Sequence, residues 1–195
     1  MTGVFTMRLA RNYLVFVLGL FVFGRGQVIA QELDASLYRN LEYRFAAIFP
    51  DTPQMREISY VAKDDTAVPA RQFYVEQGTN QYIVTVVNLP AGPDIDYFAV
   101  EHAAEQMRLR GDVRFEFDMA YDPGIPGRQL NILQPDGRQL RVSTYMWEHN
   151  LYIAEAVARP GDAAALKLEQ SLLLLDSNGD AVDTGSGNCP VPPPE

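Results

Sequence analysis

The chain contains two histidines, His102 and His149, and they are the natural first place to look for acid–base or metal chemistry. His102 follows Glu101 and precedes Glu105 by three residues. On a helix that spacing puts a nitrogen and a carboxylate one turn apart, two donors where zinc needs three or four. The expectation is a solvated helix face, with no metal and no other cofactor. His149 stands beside Glu148 in a turn-like segment and is expected to be exposed. A nucleophilic serine wants a strained turn, and the chain has no Gly-x-Ser-x-Gly. Ser59, Ser143 and Ser171 fall in segments patterned as strand or helix. Asp176-Ser177-Asn178-Gly179-Asp180 opens like a calcium loop, but Ala181 stands where the loop needs Gly and Gly187 where it needs Glu. It reads as a turn. Cys189 is the single cysteine, so an internal disulfide and a cysteine-based metal site are both excluded.

Arginine and aromatic residues supply the one candidate binding surface. Gly124-Ile125-Pro126-Gly127 leads to Arg128, and Arg138 and Arg141 follow on the adjoining hairpin. Tyr145 and Trp147 share a strand face with Arg141, because alternate strand residues point the same way. Arginine beside aromatics is enriched at binding surfaces. The candidate surface is thus Arg128, Arg138, Arg141, Tyr145 and Trp147. The competing reading makes Trp147 core and pairs the arginines with nearby acids.

These residues must be held by a scaffold of strands. Phe45, Ala47 and Phe49 alternate, and Pro50 and Pro53 end that run. Short strands are expected at 58–62 and 70–76, and the β-branched run 82–88 is the best candidate for a central strand. In 113–119, Val113, Phe115, Phe117 and Met119 should face one way, and Arg114, Glu116 and Asp118 the other. Strands at 128–133, 139–147 and 151–158 complete the set, with Pro135-Asp136-Gly137 as a hairpin turn.

Two amphipathic helices are expected. One starts at Asp94 or Asp96 and ends near Arg110, with Tyr97, Val100, Ala104 and Met107 inward and Glu101, Glu105 and Arg108 outward. The other is capped by Asp162 and lines up Ala165, Leu168, Leu172 and Leu175. A short helix or ordered lead-in is expected at 31–42, from Leu33, Leu37 and Leu41 four apart. Strands joined by tight turns pair antiparallel. The fold class expected is therefore α+β, an antiparallel sheet of about six to eight strands flanked by two helices.

Residues 1–30 read as a cleavable signal peptide. Arg8 and Arg11 precede the apolar run Tyr13–Phe23, and Val28-Ile29-Ala30 offers a cleavage site. The run is about half the roughly 20 residues that a membrane span requires. Residues 31–176 form one α+β domain, and 177–195, rich in Pro, Gly, Ser and Asp, form a disordered tail. Loss of Arg8, Arg11 and Arg25 with the leader lowers the basic count from 16 to 13 against 25 acids, a formal charge of −12. Such a chain repels phosphate backbones, so nucleic acid is not an expected partner, and membrane contact is expected only in transit.

Three segments recur together: Tyr43-Arg44-Phe45 with Phe49-Pro50-Asp51-Thr52-Pro53, Gly124 to Arg128, and Arg141 to Trp147 followed by Asn150-Leu151-Tyr152. Across about residues 38–176 the chain resembles small exported bacterial domains of the PsbP-like fold. The resemblance implies a helix-flanked antiparallel sandwich and a role in binding other proteins without enzymatic activity. The expectation is an exported, non-enzymatic domain that binds a protein or another envelope component. The alternative is a small periplasmic hydrolase or ligand-binding protein.

Overall fold

The alternation in the sequence resolves into a seven-stranded antiparallel sheet in the order β3-β4-β5-β9-β8-β7-β6. Its strands are β3 (Gln54–Val61), β4 (Ala67–Gln77), β5 (Asn80–Asn88), β6 (Asp112–Asp122), β7 (Ile125–Leu133), β8 (Gln139–Trp147) and β9 (Asn150–Ala158). This is a computed structural model, and it describes residues 37–90, 95–122 and 124–182, the side chains of 95 and 96 excepted. The expected leader (1–30), Leu33, Asp94 and Cys189 lie outside the described residues. Among the described residues no helix is long and apolar enough to cross a membrane.

One helix lies on each face of the sheet. Helix α1 (Ile95–Arg108) packs over β7, β8 and β9. Helix α2 (Ala163–Ser171) packs over β8 and β9 from the other side. The α1 layer buries Val100, Ala103, Leu130, Val142 and Ile153. The α2 layer buries Phe45, Phe73, Val84, Tyr152 and Leu168. The class is α+β, as the patterning implied.

A second, three-stranded sheet joins the α2 layer, in the order β1-β2-β10. It comprises β1 (Leu37–Asn40), β2 (Phe45–Ile48) and β10 (Leu173–Leu174); the alternation at Phe45 and Ala47 marks β2, whereas β1 and β10 are not among the expected strands. The helical spacing of Leu37 and Leu41 misleads, because 37–40 is a strand paired with 45–48 and Leu41 is 65% exposed in the turn. Phe45 is fully buried, with ring centroids 5.0 Å from Phe73 and 5.9 Å from Tyr38. Burying an aromatic side chain of this kind contributes roughly 1.5–3 kcal/mol.

Several local expectations shift for identifiable reasons. The run 82–88 lies within β5, third in the sheet, while β9 takes the centre. Helix α2 ends at Ser171, whose hydroxyl accepts from the Ile48 amide (2.7 Å), so 173–174 is free to pair with β2. Its first turn is capped by Asp162, which accepts from the Ala165 amide at 2.8 Å. In β6 a register irregularity between Val113 and Phe115 breaks the alternation. Val113 packs in the α1 layer and Met119 in the α2 layer, while Phe115 and Phe117 are left 67% and 50% exposed on the sheet edge. In α1 the buried stripe is Ala99, Val100, Ala103 and Ala104, rotated from the expected one, and Tyr97 is exposed.

The β6–β7 connection is a tight hairpin in which Asp122 pairs with Ile125, not the longer loop expected before Arg128. The first residues of the expected tail are also built into the fold. Asp176 Oδ1 accepts from the amides of Asn178 (2.8 Å) and Asp180 (2.9 Å), closing a turn that brings Val182 onto the α2 core. The Asp176 carboxylate is thus a turn acceptor, and those hydrogen bonds hold it below the usual carboxylate range.

Candidate functional site

The five candidate surface residues are divided among three places. Arg128 points to the α1 side of the sheet, where it bonds Glu101 (2.7 Å), Glu116 (2.8 Å) and Asp118 (2.8 Å). Arg108 of α1 reaches the same Glu101 and Glu116. Two arginines and three acids thereby tie α1 to the β6–β7 edge. Arg138 sits in the β7–β8 turn, held by Asp136 (2.7 Å) and by the Thr79 carbonyl (2.6 Å).

Arg141, Tyr145 and Trp147 point to the α2 side. Arg141 pairs with Glu169, a carboxylate whose side chain is 1% exposed. Burial pushes the Glu169 carboxyl up, and Gln129 and Arg141 pull it back only in part. Tyr145 is buried, with its ring against Gly127 and edge-on to Tyr121 at 5.4 Å. Trp147 is half-buried against the same core, and its indole nitrogen has no hydrogen-bond partner among the described residues.

Among the candidate reactive groups, the His102 ring and the hydroxyls of Ser143 and Ser171 are engaged in structural bonds. The His102 Nε2 lies 3.0 Å from the Val61 carbonyl oxygen. A carbonyl can only accept, so Nε2 donates and fastens α1 to the end of β3. The Glu105 carboxylate is 3.9 Å from Nδ1, too long for a hydrogen bond. His149 occupies the β8–β9 turn with φ 68°, and its carbonyl accepts from the Leu89 amide at 2.7 Å. Ser143 is buried and donates to the Glu169 carbonyl. The Ser171 hydroxyl accepts from the Ile48 amide, and Ser59 is exposed on the edge strand. Among the described residues no group of three His, Cys, Asp or Glu could hold a metal.

A concavity among the described residues lies elsewhere, between α1 and the β3–β4 hairpin. Helix α1 covers β7 to β9 and stops short of the hairpin, and the gap is an apolar cleft of about 460 Å³. Tyr60, Ala62 and Val68 form one wall, Phe98 and Ala99 the other, and Leu89 lies between them. His102 also lines it, with its ring edge-on to Tyr60 at 6.2 Å. The hairpin turn is fixed by the Ala62 amide on the Thr66 carbonyl (2.9 Å) and by Asp65 at φ 62°.

Two charged side chains stand at the rim. Asp64 accepts from the Thr66 amide at 3.1 Å, and hydrogen bonds from Thr66 hold its carboxyl below the usual range. The Lys63 ammonium lies 4.5 Å from the centroid of the Phe98 ring. Tyr60 lines the cleft, but its hydroxyl is covered by protein atoms and has no hydrogen-bond partner among the described residues. Burial pushes its phenol up to about 12, so it stays protonated.

Sequence reasoning missed Tyr60, Lys63, Leu89 and Phe98. One signal was legible: Phe98 lies outside the apolar stripe of its helix, beside Tyr97, yet is aromatic. No family model matches the chain, and no curated protein matches it.

Proposed function

We propose that this chain is an exported, non-enzymatic domain that binds an envelope component through the apolar cleft between α1 and the β3–β4 hairpin. The observation that carries the reading is the cleft itself. Its volume of about 460 Å³ falls within the roughly 300–1,000 Å³ of small-molecule sites. Its walls are mostly apolar, with Lys63, Asp64, Thr66 and His102 also lining it. Export rests on the Arg8–Ala30 leader pattern. Membership of the PsbP-like fold is part of the same proposal, supported by an antiparallel sheet with a helix on each face.

Protein recovered from the exported fraction is expected to begin at Gln31 and to bind N-phenyl-1-naphthylamine, a neutral apolar fluorophore, with saturable enhancement. Phe98 is 46% exposed, so Phe98→Ala keeps the fold while removing a wall. It is expected to weaken that binding about tenfold, from the loss of roughly one buried aromatic contact surface. Non-saturable enhancement, or equal affinity in Phe98→Ala and the parent protein, overturns the cleft as the binding site.

A further inference from the structure

We infer that the ligand of this cleft is an amphiphile, an apolar body with one anionic head, and that the Lys63 ammonium receives the head at the mouth. The inference rests on the cleft being the binding site and adds the chemical class of the occupant.

The position of one cation selects that class. Lys63 is one of two lysines in the chain, and it lines the cleft. It is rooted in the turn between β3 and β4, on one wall, and its ammonium lies 4.5 Å from the ring centroid of Phe98, on the other. The side chain therefore spans the mouth and carries its charge to the edge of the apolar walls. A cation over a half-exposed ring is held only weakly. The contact also satisfies none of the ammonium's N–H donors. Among the described residues no carboxylate forms an ion pair with Lys63.

The other polar lining groups do not compete for an anion. Asp64 is itself an anion, and it accepts from the Thr66 amide at 3.1 Å and from the Thr66 hydroxyl. Its charge thus has hydrogen-bond donors, where that of Lys63 has only a ring. His102 holds the Val61 carbonyl at Nε2, and the Glu105 carboxylate stands 3.9 Å from its Nδ1. An anion at that imidazole meets Glu105; an anion at the mouth meets Lys63. Deeper in, Ala62, Val68, Leu89 and Ala99 offer dispersion contacts from their side chains. A charge buried against them would lose its hydration without a partner. The apolar body therefore lies within the walls, and the anion stays at the edge, where water and the ammonium both reach it.

Decanoate and decanol share an apolar chain and differ in the charge of the head. Each is used to displace N-phenyl-1-naphthylamine from the purified full chain, from Lys63→Gln and from Lys63→Arg. Lys63 is exposed in a turn, so neither change disturbs the core. Lys63→Gln is expected to weaken decanoate about fivefold, the loss of one partly exposed ion pair, with decanol and the dye unchanged. Lys63→Arg keeps the charge and is expected to keep the decanoate affinity. Lys167→Gln removes the other lysine, which is exposed on α2 across the sheet, and is expected to change nothing. Equal decanoate affinity in the parent chain and Lys63→Gln overturns the role of Lys63, as does an equal loss in Lys167→Gln, which would mark a long-range charge effect. A dye that binds saturably but is not displaced by decanoate overturns the anionic class and leaves the cleft reading standing. Absence of saturable dye binding to the parent chain overturns both. Retained dye affinity reports that each variant has kept its fold.

Discussion

Arg141→Met is expected to destabilise the fold by about 3 kcal/mol at pH 7, because it strands the buried Glu169 carboxylate without its counter-charge. The effect should depend on pH in a defined direction. Burial already raises the folded-state pKa of Glu169, so the folded chain keeps that proton at pH values where the unfolded chain has lost it. Stability from this group therefore declines as pH rises from the unfolded value, about 4.3, through the folded one. Removing Arg141 takes away one of the groups that oppose the shift, so the folded value climbs and the decline extends further. Urea denaturation should show the deficit large at pH 7 and much smaller near pH 4.5. Adding Glu169→Leu should return most of the loss at pH 7, since an apolar pair of similar volume tolerates burial where a lone charge does not. A deficit independent of pH would mean that Arg141 acts through packing of its stem instead.

Gly127→Val is expected to cost about 3 kcal/mol and to lower Tm by on the order of 10 °C. Gly127 sits inside β7 opposite Tyr145, and the Tyr145 ring lies over the place where a side chain would begin. A Cβ there would stand 2.4 Å from Tyr145 Cδ1 and 2.7 Å from the Thr144 carbonyl oxygen. The ring can turn aside only by leaving its contacts with Tyr121 and Met119. The carbonyl is held in the sheet and cannot move without breaking the ladder. Glycine here permits close approach of ring and strand. A thermal melt within 2 °C of the parent protein would contradict this packing.

What could be read in advance divides along physical lines. Local signals were reliable where a single residue settles a single turn. Asp162 caps α2 as its position implied, and Gly137 takes φ 82° in the hairpin after Asp136. Period-two alternation located all seven strands of the main sheet to within a few residues. It failed where one irregularity reverses a face. Past the break between Val113 and Phe115, the side chains of β6 point opposite to the simple count, and two phenylalanines end on the surface.

Non-local pairing was the other blind spot. Leu37–Asn40 and Leu173–Leu174 are strands only because each lies against 45–48, and nothing in their own spacing records that neighbour. The arginines show the same limit. Arg128 and Arg141 are close in sequence and were grouped as one surface. One occupies an even position in β7 and the other an odd position in β8, so the pleat sends them to opposite faces. Their acids come from α1, β6 and α2, elements whose placement only the assembled sheet defines.

The cleft was illegible for a related reason. It arises where α1 fails to cover the β3–β4 hairpin, a property of how far a helix reaches across a sheet. Tyr60 in an edge strand and Phe98 on a helix flank are ordinary residues until that gap brings them together.

The most direct test is a ¹H–¹⁵N NMR titration of the labelled protein with N-phenyl-1-naphthylamine. Amide shifts are expected to saturate and to concentrate at Tyr60–Val68, Leu89 and Phe98–His102. Shifts centred instead on the exposed Phe115–Phe117 edge, or changes that never saturate, would contradict binding in the cleft.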